Sequence, residues 1–505
     1  MSQYDALQSW ATANGAYLNP KVAIAVSPTT GASFVASEEI PRSEPIVSCP
    51  MRLSLSYLNV LEGAPADFIN PWTTSPPDSV ANAGNRPAIV KNIPLPADFL
   101  ASTPPNVVSR FLLMQQYLAG SQSYWNAYIN ALPQPGELQL PVFWDSDDTE
   151  LLDGTNLGAS VVEIRTRLAD EYAAARKLLT GWTEGGWREF SRELYYWAYG
   201  IITSRSFTPL LVIPKGVQAA LAAPLGGRRM DEFSLLLPLY DIANHDMTVP
   251  VTWTPLDAGE NDGGLSRVTL TVDRVHAKGT HVFNNYGMRT NSQLLLSYGF
   301  MIPESETLHN DYVHLKKRNQ KADVTDDYIL SLHPATDQRS VLLEHRQMVE
   351  AGKLEAFSNS GKHEVLSSFQ RVQDKIVYDL VLMHASLDKL REKLGVQADL
   401  QTNSIKQEVL ARLLTNQVPD DVRPWLLQTM AVIGGQAMVA LEKLDETEVE
   451  VDEDQMPYLT QNQRLGLGYR KACRRVLENV LEAIDTRPVE DGGEEEEQEE
   501  GGKKK

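Results

Sequence analysis

Two cysteines in 505 residues, Cys49 and Cys473, are too few and too far apart for a disulfide framework or a zinc site. They fit a reducing compartment. The nine histidines show no ligand spacing. His276 and His281 flank a turn at Gly279, so no metal is expected. The sequence contains no HExxH, no CxxC, no GxSxG and no GxxxxGK followed by Ser or Thr, which weakens the metalloprotease, thiol-redox, hydrolase and P-loop readings. No run of ~18 apolar residues exists, and the longest candidate, 430–441, is broken by Gly434, Gly435 and Gln436. No membrane partner is expected. Residues 1–10 lack the basic start and apolar run of a signal peptide, so the expected localisation is cytoplasmic, with the nucleus as a second compartment. Positive charge is also short: 46 Lys and Arg stand against 66 Asp and Glu, a net charge of −20. A basic nucleic-acid-binding face is therefore not expected. Opposite charge suits a basic protein partner better.

What remains is an ordinary globular composition, 42% hydrophobic and 22% charged, long enough for two to four domains at roughly 150 residues each. Residues 4–14 carry Leu7, Trp10 and Ala11 at helical spacing. Strand signals follow at 22–26, 34–36 and 46–49, with a turn at Thr29-Thr30-Gly31. From 58 to 196 proline-rich loops alternate with helices. One spans 107–119, and another begins at Ser160 with Glu163 three residues on, a capping-box pattern. Strands return at 249–253, 267–272 and 280–283. After about 318 the chain turns helical, with one long amphipathic helix expected from Val365 through Leu394 and a last one capped by Thr460 and Gln463. The charge run 488–505 is expected to be disordered.

Four short segments carry the chemistry: Thr30-Gly31-Ala32-Ser33-Phe34, Ser204-Arg205-Ser206-Phe207, Asp241-Ile242-Ala243-Asn244-His245, and Asn284-Asn285-Tyr286-Gly287, followed by Tyr298-Gly299-Phe300. Each alone is a weak signal, a turn, a cap or a helix end. In this order and spacing they resemble the SET domain, in the subgroup of Rubisco large-subunit methyltransferase, actin-histidine methyltransferase and the fungal ribosomal-protein lysine methyltransferases. Leu152-Asp153-Gly154-Thr155 and Gly466-Leu467-Gly468-Tyr469-Arg470-Lys471 extend the likeness.

The resemblance implies an α+β architecture. A β-rich SET fold with a pseudoknot, 1–57 and 197–317, would be interrupted by a helical insertion, 58–196. An all-α substrate-binding-like domain, 318–487, and the acidic tail would follow. It implies S-adenosylmethionine as cofactor, held by Gly31, Ala32, Ser33, Arg205, Asn244 and His245. Tyr286 would be catalytic, and Asp241 and Tyr298 would bind the protein substrate. Ser33 departs from the usual second glycine. If it had to adopt positive φ it would cost stability beside the cofactor. The expected activity is lysine N-methylation of a non-histone protein, a basic ribosomal protein being one candidate. The alternatives are histidine N-methylation of the actin type and a non-catalytic binding module.

Overall fold

A computed structural model describes residues 2–28, 30–69, 88–259, 264–316, 327–334, 337, 339–340, 365–397, 402–451 and 456–485. The acidic tail lies outside them. In chain order the elements of the first three hundred residues are α1 (Gln3–Ala13), β1 (Tyr17–Leu18), β2 (Val22–Ser27), β3 (Gly31–Ala36), β4 (Glu44–Pro50), α2 (Ala97–Ser102), α3 (Pro105–Leu118), α4 (Asn126–Ala131), α5 (Ser146–Glu150), α6 (Asn156–Leu178), α7 (Arg192–Arg205), β5 (Ser206–Phe207), α8 (Pro209–Val212), α9 (Lys215–Leu221), β6 (Leu235–Leu236), β7 (Val251–Leu256), β8 (Arg267–Val272), β9 (His281–Val282) and α10 (Asn291–Tyr298).

Contacts divide the chain into two compact units. The first is Met1–Asp147, Ser160–Arg289 and Gln293–Met301. Its sheets are small and antiparallel, ordered β1-β4-β8-β7, β2-β3-β9 and β5-β6. β8 alternates with one buried face, whereas β4 is buried continuously from Ile46 to Pro50. Val47 sits opposite Leu270 and Cys49 opposite Val268, all four fully buried. In the β2–β3 hairpin Phe34 and Ala36 face the core while Gly31, at the turn end, is exposed. The alternation of β8 fixes its register, because a one-residue slip would expose its core side chains.

The helical insertion shares this core. Twelve of the fourteen residues of α3 are buried, as befits an interior helix. Phe111 packs against Phe99, Tyr195 and Phe190. Arg110 pairs with Glu171 and donates to the Tyr195 hydroxyl at 2.8 Å. Indole N–H groups staple neighbouring segments: Trp125 Nε1 donates to the Leu53 carbonyl and Trp197 Nε1 to that of Pro133, both at 2.8 Å. The helix expected to start at Ser160 starts instead at Asn156. The Thr155 hydroxyl caps it by accepting from the Gly158 N–H at 3.2 Å, so the Ser160–Glu163 pattern falls inside the helix.

The second unit, Asp148–Ala159, Thr290–Ser292 and Ile302–Lys505, carries β10 (Tyr312–Lys316), β11 (Asp327–Ser331), α11 (Ser367–Gln370), α12 (Asp374–Leu382), α13 (Leu387–Lys393), α14 (Thr402–Leu414), α15 (Arg423–Glu446) and α16 (Gln461–Asp485). Among the described residues it is helical apart from the antiparallel pair β10–β11, which the expectation of an all-α region did not include. The single long helix expected over 365–394 is three. Val372 leaves helical geometry to bridge Leu330, the Gln373 N–H donates to the Ile329 carbonyl, and the Ser386 hydroxyl caps α13. The apolar period runs through these breaks, with Phe369, Ile376 and Leu390 buried and Met383 exposed. α16 begins as expected, with Thr460 and Gln463 accepting reciprocally. Arg470 is buried on it, donating to the Asp153 and Leu444 carbonyls and to the Thr447 hydroxyl. α15 is long and apolar enough, by length and composition, to cross a membrane, although only 22% of that stretch is buried.

Candidate active site

The four motif segments converge inside the first unit. Pairing of β5 with β6 delivers Arg205, the last residue of α7, to the chain that runs into 240–246. There Leu239 turns at φ 70°, a conformation that costs a non-glycine residue about 1–3 kcal/mol, and a single 3₁₀ turn presents Asp241. Next, residues 244–246 are laced to Asn284. The Asn284 N–H donates to the Asn244 carbonyl at 2.7 Å, the Asp246 N–H donates to the Asn284 carbonyl at 3.0 Å, and His245 and Asn284 form a parallel bridge.

Asn284 and Asn285 are structural fasteners. Asn284 Oδ1 accepts from Trp253 Nε1 at 2.8 Å. Asn285 Nδ2 donates to the Met247 and Val249 carbonyls, while its Oδ1 accepts from the Gly287 N–H. The turn they hold positions Tyr286 at both ends. Its N–H donates to His245 Nδ1 at 3.1 Å and its hydroxyl donates to the Ala243 carbonyl at 2.9 Å. The ring stacks between His245, at 4.8 Å, and Tyr298, at 5.1 Å.

A pocket opens beside it, lined by Ser204, Arg205, Ser206, Phe207, Thr208, Leu211, Asp241, Trp253, Tyr286, Arg289 and Tyr298. Four of these lie outside every motif segment: Thr208, Leu211, Trp253 and Arg289. Trp253 alone carried a signal, as an aromatic on a strand adjoining the motif. Across the β2–β3 turn, Asn244 Nδ2 reaches the Thr30 carbonyl at 3.4 Å, bringing the first and third segments together. Gly31 there has φ 67°, with nothing within 4 Å of where a side chain would start. Ala32 and Ser33 are buried in β3, and Ser33 pairs with Ala25 in extended geometry outside the positive-φ residues. The strain that a serine there would bring at positive φ does not arise.

Burial dominates the electrostatics. The Asp241 carboxyl, 1% exposed, is raised by desolvation, against which Arg205 and the Tyr128 hydroxyl pull it down. Burial is the largest single influence on Arg205 and lowers it, but Asp241 together with Tyr128, Tyr286 and Tyr4 outweighs that loss, so it stays charged, with Nη1 3.6 Å from Asp241 Oδ2. Tyr286 is pushed up by burial and only partly offset by Arg205, so its hydroxyl keeps its proton. His245 falls to about 4, mainly by burial, and is neutral at pH 7. Since its Nδ1 accepts from Tyr286, its proton sits on Nε2, which is buried without a protein partner. Asp241 Oδ1 and Asn284 Nδ2 are unpartnered in the same way. The arrangement offers a protonated phenol, a carbonyl acceptor and a buried carboxyl group around the pocket.

Comparison with solved structures identifies the fold. The SET domain of LSMT bound to lysine and AdoHcy aligns with a TM-score of 0.56 over 95% of this chain and 90% of that one, at 16% identity. The chain has the SET-domain fold. Rubisco LSMT bound to AdoMet aligns similarly, with a TM-score of 0.55 over 96% of this chain and 92% of that one. No family model matches the chain. Among curated proteins, this chain is 25% identical to the ribosomal lysine N-methyltransferase set10 of Schizosaccharomyces pombe, over 75% of this chain and 57% of that protein. It is 24% identical to the fructose-bisphosphate aldolase-lysine N-methyltransferase of Arabidopsis thaliana, over 69% and 64%. It is also 24% identical to the actin-histidine N-methyltransferase of Dasypus novemcinctus, over 41% and 31%. The chain spans little more than half of set10 and less than two thirds of these relatives.

Proposed function

We propose that the chain is an S-adenosylmethionine-dependent protein N-methyltransferase whose target is a lysine on a non-histone protein. The observation that carries this reading is Tyr286, a protonated phenol locked at both ends beside a pocket lined by Asp241 and Tyr298. The cofactor's fit rests on unsatisfied groups. His245 Nε2–H and Asn284 Nδ2 are buried without protein acceptors, and Gly31 leaves its backbone open. Gly31, Ala32, Ser33, Arg205, Asn244 and His245 would hold it. When bound, it supplies a methyl group already activated on a sulfonium, so the protein needs no covalent intermediate.

The chain's own residues then align and exclude water. Tyr286 spends its O–H on the Ala243 carbonyl, which leaves oxygen lone pairs to orient an incoming amine. An amine entering as an ammonium, reference pKa about 10.4, must lose its proton. A buried site beside positive charge lowers that value. The buried Asp241 carboxylate attracts the cation at the entrance. A cationic target favours lysine over histidine, as do the names of set10 and the Arabidopsis relative. The name of set10 and the net charge of −20 point toward a basic ribosomal protein.

Incubation of the protein with labelled S-adenosylmethionine and a lysate of the source cells tests this. A labelled band made by the wild type and not by Tyr286→Phe or Asn244→Ala supports transfer, and mass spectrometry of that band reads the methylated residue. A methylhistidine would replace lysine in the reading. Cofactor binding too weak to measure would overturn it.

A further inference from the structure

Tyr128 lies outside every motif segment, on α4 of the helical insertion, with its ring fully buried. Its hydroxyl donates to Asp241 Oδ2 at 2.8 Å. Arg205 approaches the same oxygen at 3.6 Å and donates to the Asp241 carbonyl at 3.3 Å. The other carboxylate oxygen, Oδ1, is buried with no partner, on a residue that lines the pocket. One oxygen is committed to the protein and its twin is not.

A carboxylate turns broadly about its last torsion, so a donor fixed to one oxygen sets the plane of both. The donor here has a rigid mount. Next to it on the chain, Trp125 donates from its indole to the Leu53 carbonyl, and α4 packs against α1 and α3. A buried carboxylate oxygen without a hydrogen bond is costly, and that cost is recovered when a donor arrives from the pocket.

We propose that Tyr128 is a positioning residue of the target pocket: it holds Asp241 by Oδ2 so that Oδ1 faces an N–H group of the incoming protein substrate. The inference rests on the methyltransferase reading of the pocket. Tyr128 touches neither substrate nor cofactor and acts through Asp241. Its hydroxyl also favours the ionised carboxylate, which burial disfavours, so its removal moves the Asp241 titration upward.

The test compares Tyr128→Phe, Asp241→Asn and the double variant in the full chain. Tyr128→Phe should raise KM for the methyl-accepting protein about tenfold, the usual effect of a lost hydrogen bond to a charged group. KM for S-adenosylmethionine should stay within about twofold, since no cofactor contact changes. The acid limb of kcat/KM should move to higher pH. On the Asp241→Asn background the tyrosine substitution should add nothing. A measurement without turnover stands beside these. The Tm gap between wild type and Tyr128→Phe should be wider at pH 8 than at pH 3, which lies below the ordinary aspartate value of about 3.9 and so below the raised value of Asp241, and Asp241→Asn should abolish that difference. Unchanged acceptor KM and acid limb, or an equal rise in both KM values, would overturn the proposal. If the wild type transferred no methyl group, the methyltransferase reading would fail separately. The Tm comparison would then decide alone, and a gap flat in pH would overturn the hold of Tyr128 on Asp241.

Discussion

The Tyr286 hydroxyl sits 2.9 Å from the Ala243 carbonyl while the Tyr286 N–H sits 3.1 Å from His245 Nδ1. The ring is thus tied to one short segment by both its backbone and its tip, and stacking on His245 and Tyr298 fills the space between. Tyr286→Phe keeps the stack and the backbone bond and removes only the tip. Turnover should fall at least about a hundredfold, the scale of losing one preorganised polar group at a reacting centre. Cofactor affinity should change less than about twofold, because nothing on the cofactor side of His245 is altered. Single-turnover methylation and calorimetric cofactor titration check the two halves.

Acid should weaken this site before it unfolds the rest. His245 binds a proton at about 4 in the folded protein and at about 6.5 when unfolded. A histidine with a depressed folded pKa gives its full stability above the unfolded value and loses it as pH falls from about 6.5 toward 4. The amount is about 3 kcal/mol at most, taken from the size of the shift. His245→Gln should flatten the dependence of urea midpoint on pH over that window by close to one proton. His309, buried in the second unit and also lowered to about 4, contributes its own slope and survives the substitution.

Ser33 tests whether the departure from the usual glycine matters. It is 2% exposed, in extended strand geometry opposite Ala25. Ser33→Gly should leave cofactor affinity within about twofold. It should cost roughly 0.5–1 kcal/mol of stability, the entropy of a glycine in a strand interior. A large gain in cofactor affinity would show that the serine side chain obstructs the site after all.

Much of this was legible from residue order. The strands near 22, 34, 46 and 267 stand where they were expected, with one-faced alternation in β8 and continuous burial along β4, and Thr460 announced the start of α16. The site segments converge because β5–β6 pairing and the lacing of Asn284 to 244–246 bring them together, contacts that the motif order anticipated without geometry. Tyr128 was invisible, since its partner Asp241 lies far along the chain and a lone tyrosine on a buried helix carries no pattern. The three-helix break at 372 and 386 was equally hidden. A backbone bridge to β11 and a serine cap leave the apolar period intact, and periodicity is the only local signal of continuity.

Two glycines separate backbone strain from collision. Gly31 and Gly154 both hold positive φ, 67° and 78°. At Gly31 an added Cβ meets nothing within 4 Å. At Gly154 it would fall 2.4 Å from both the Lys443 carbonyl oxygen and the Thr447 hydroxyl, on the loop whose Asp153 carbonyl accepts from Thr447 and Arg470. Gly31→Ala should therefore cost only the left-handed backbone, about 1 kcal/mol. Gly154→Ala carries that cost plus forced separation of the loop from the end of α15, which ties up buried Arg470 as well. Its loss should exceed about 3 kcal/mol, the range of buried-network disruption. Urea denaturation of the two variants measures the difference. Equal losses would mean that the loop moves aside freely and that the Asp153–Arg470–Thr447 bonds contribute little.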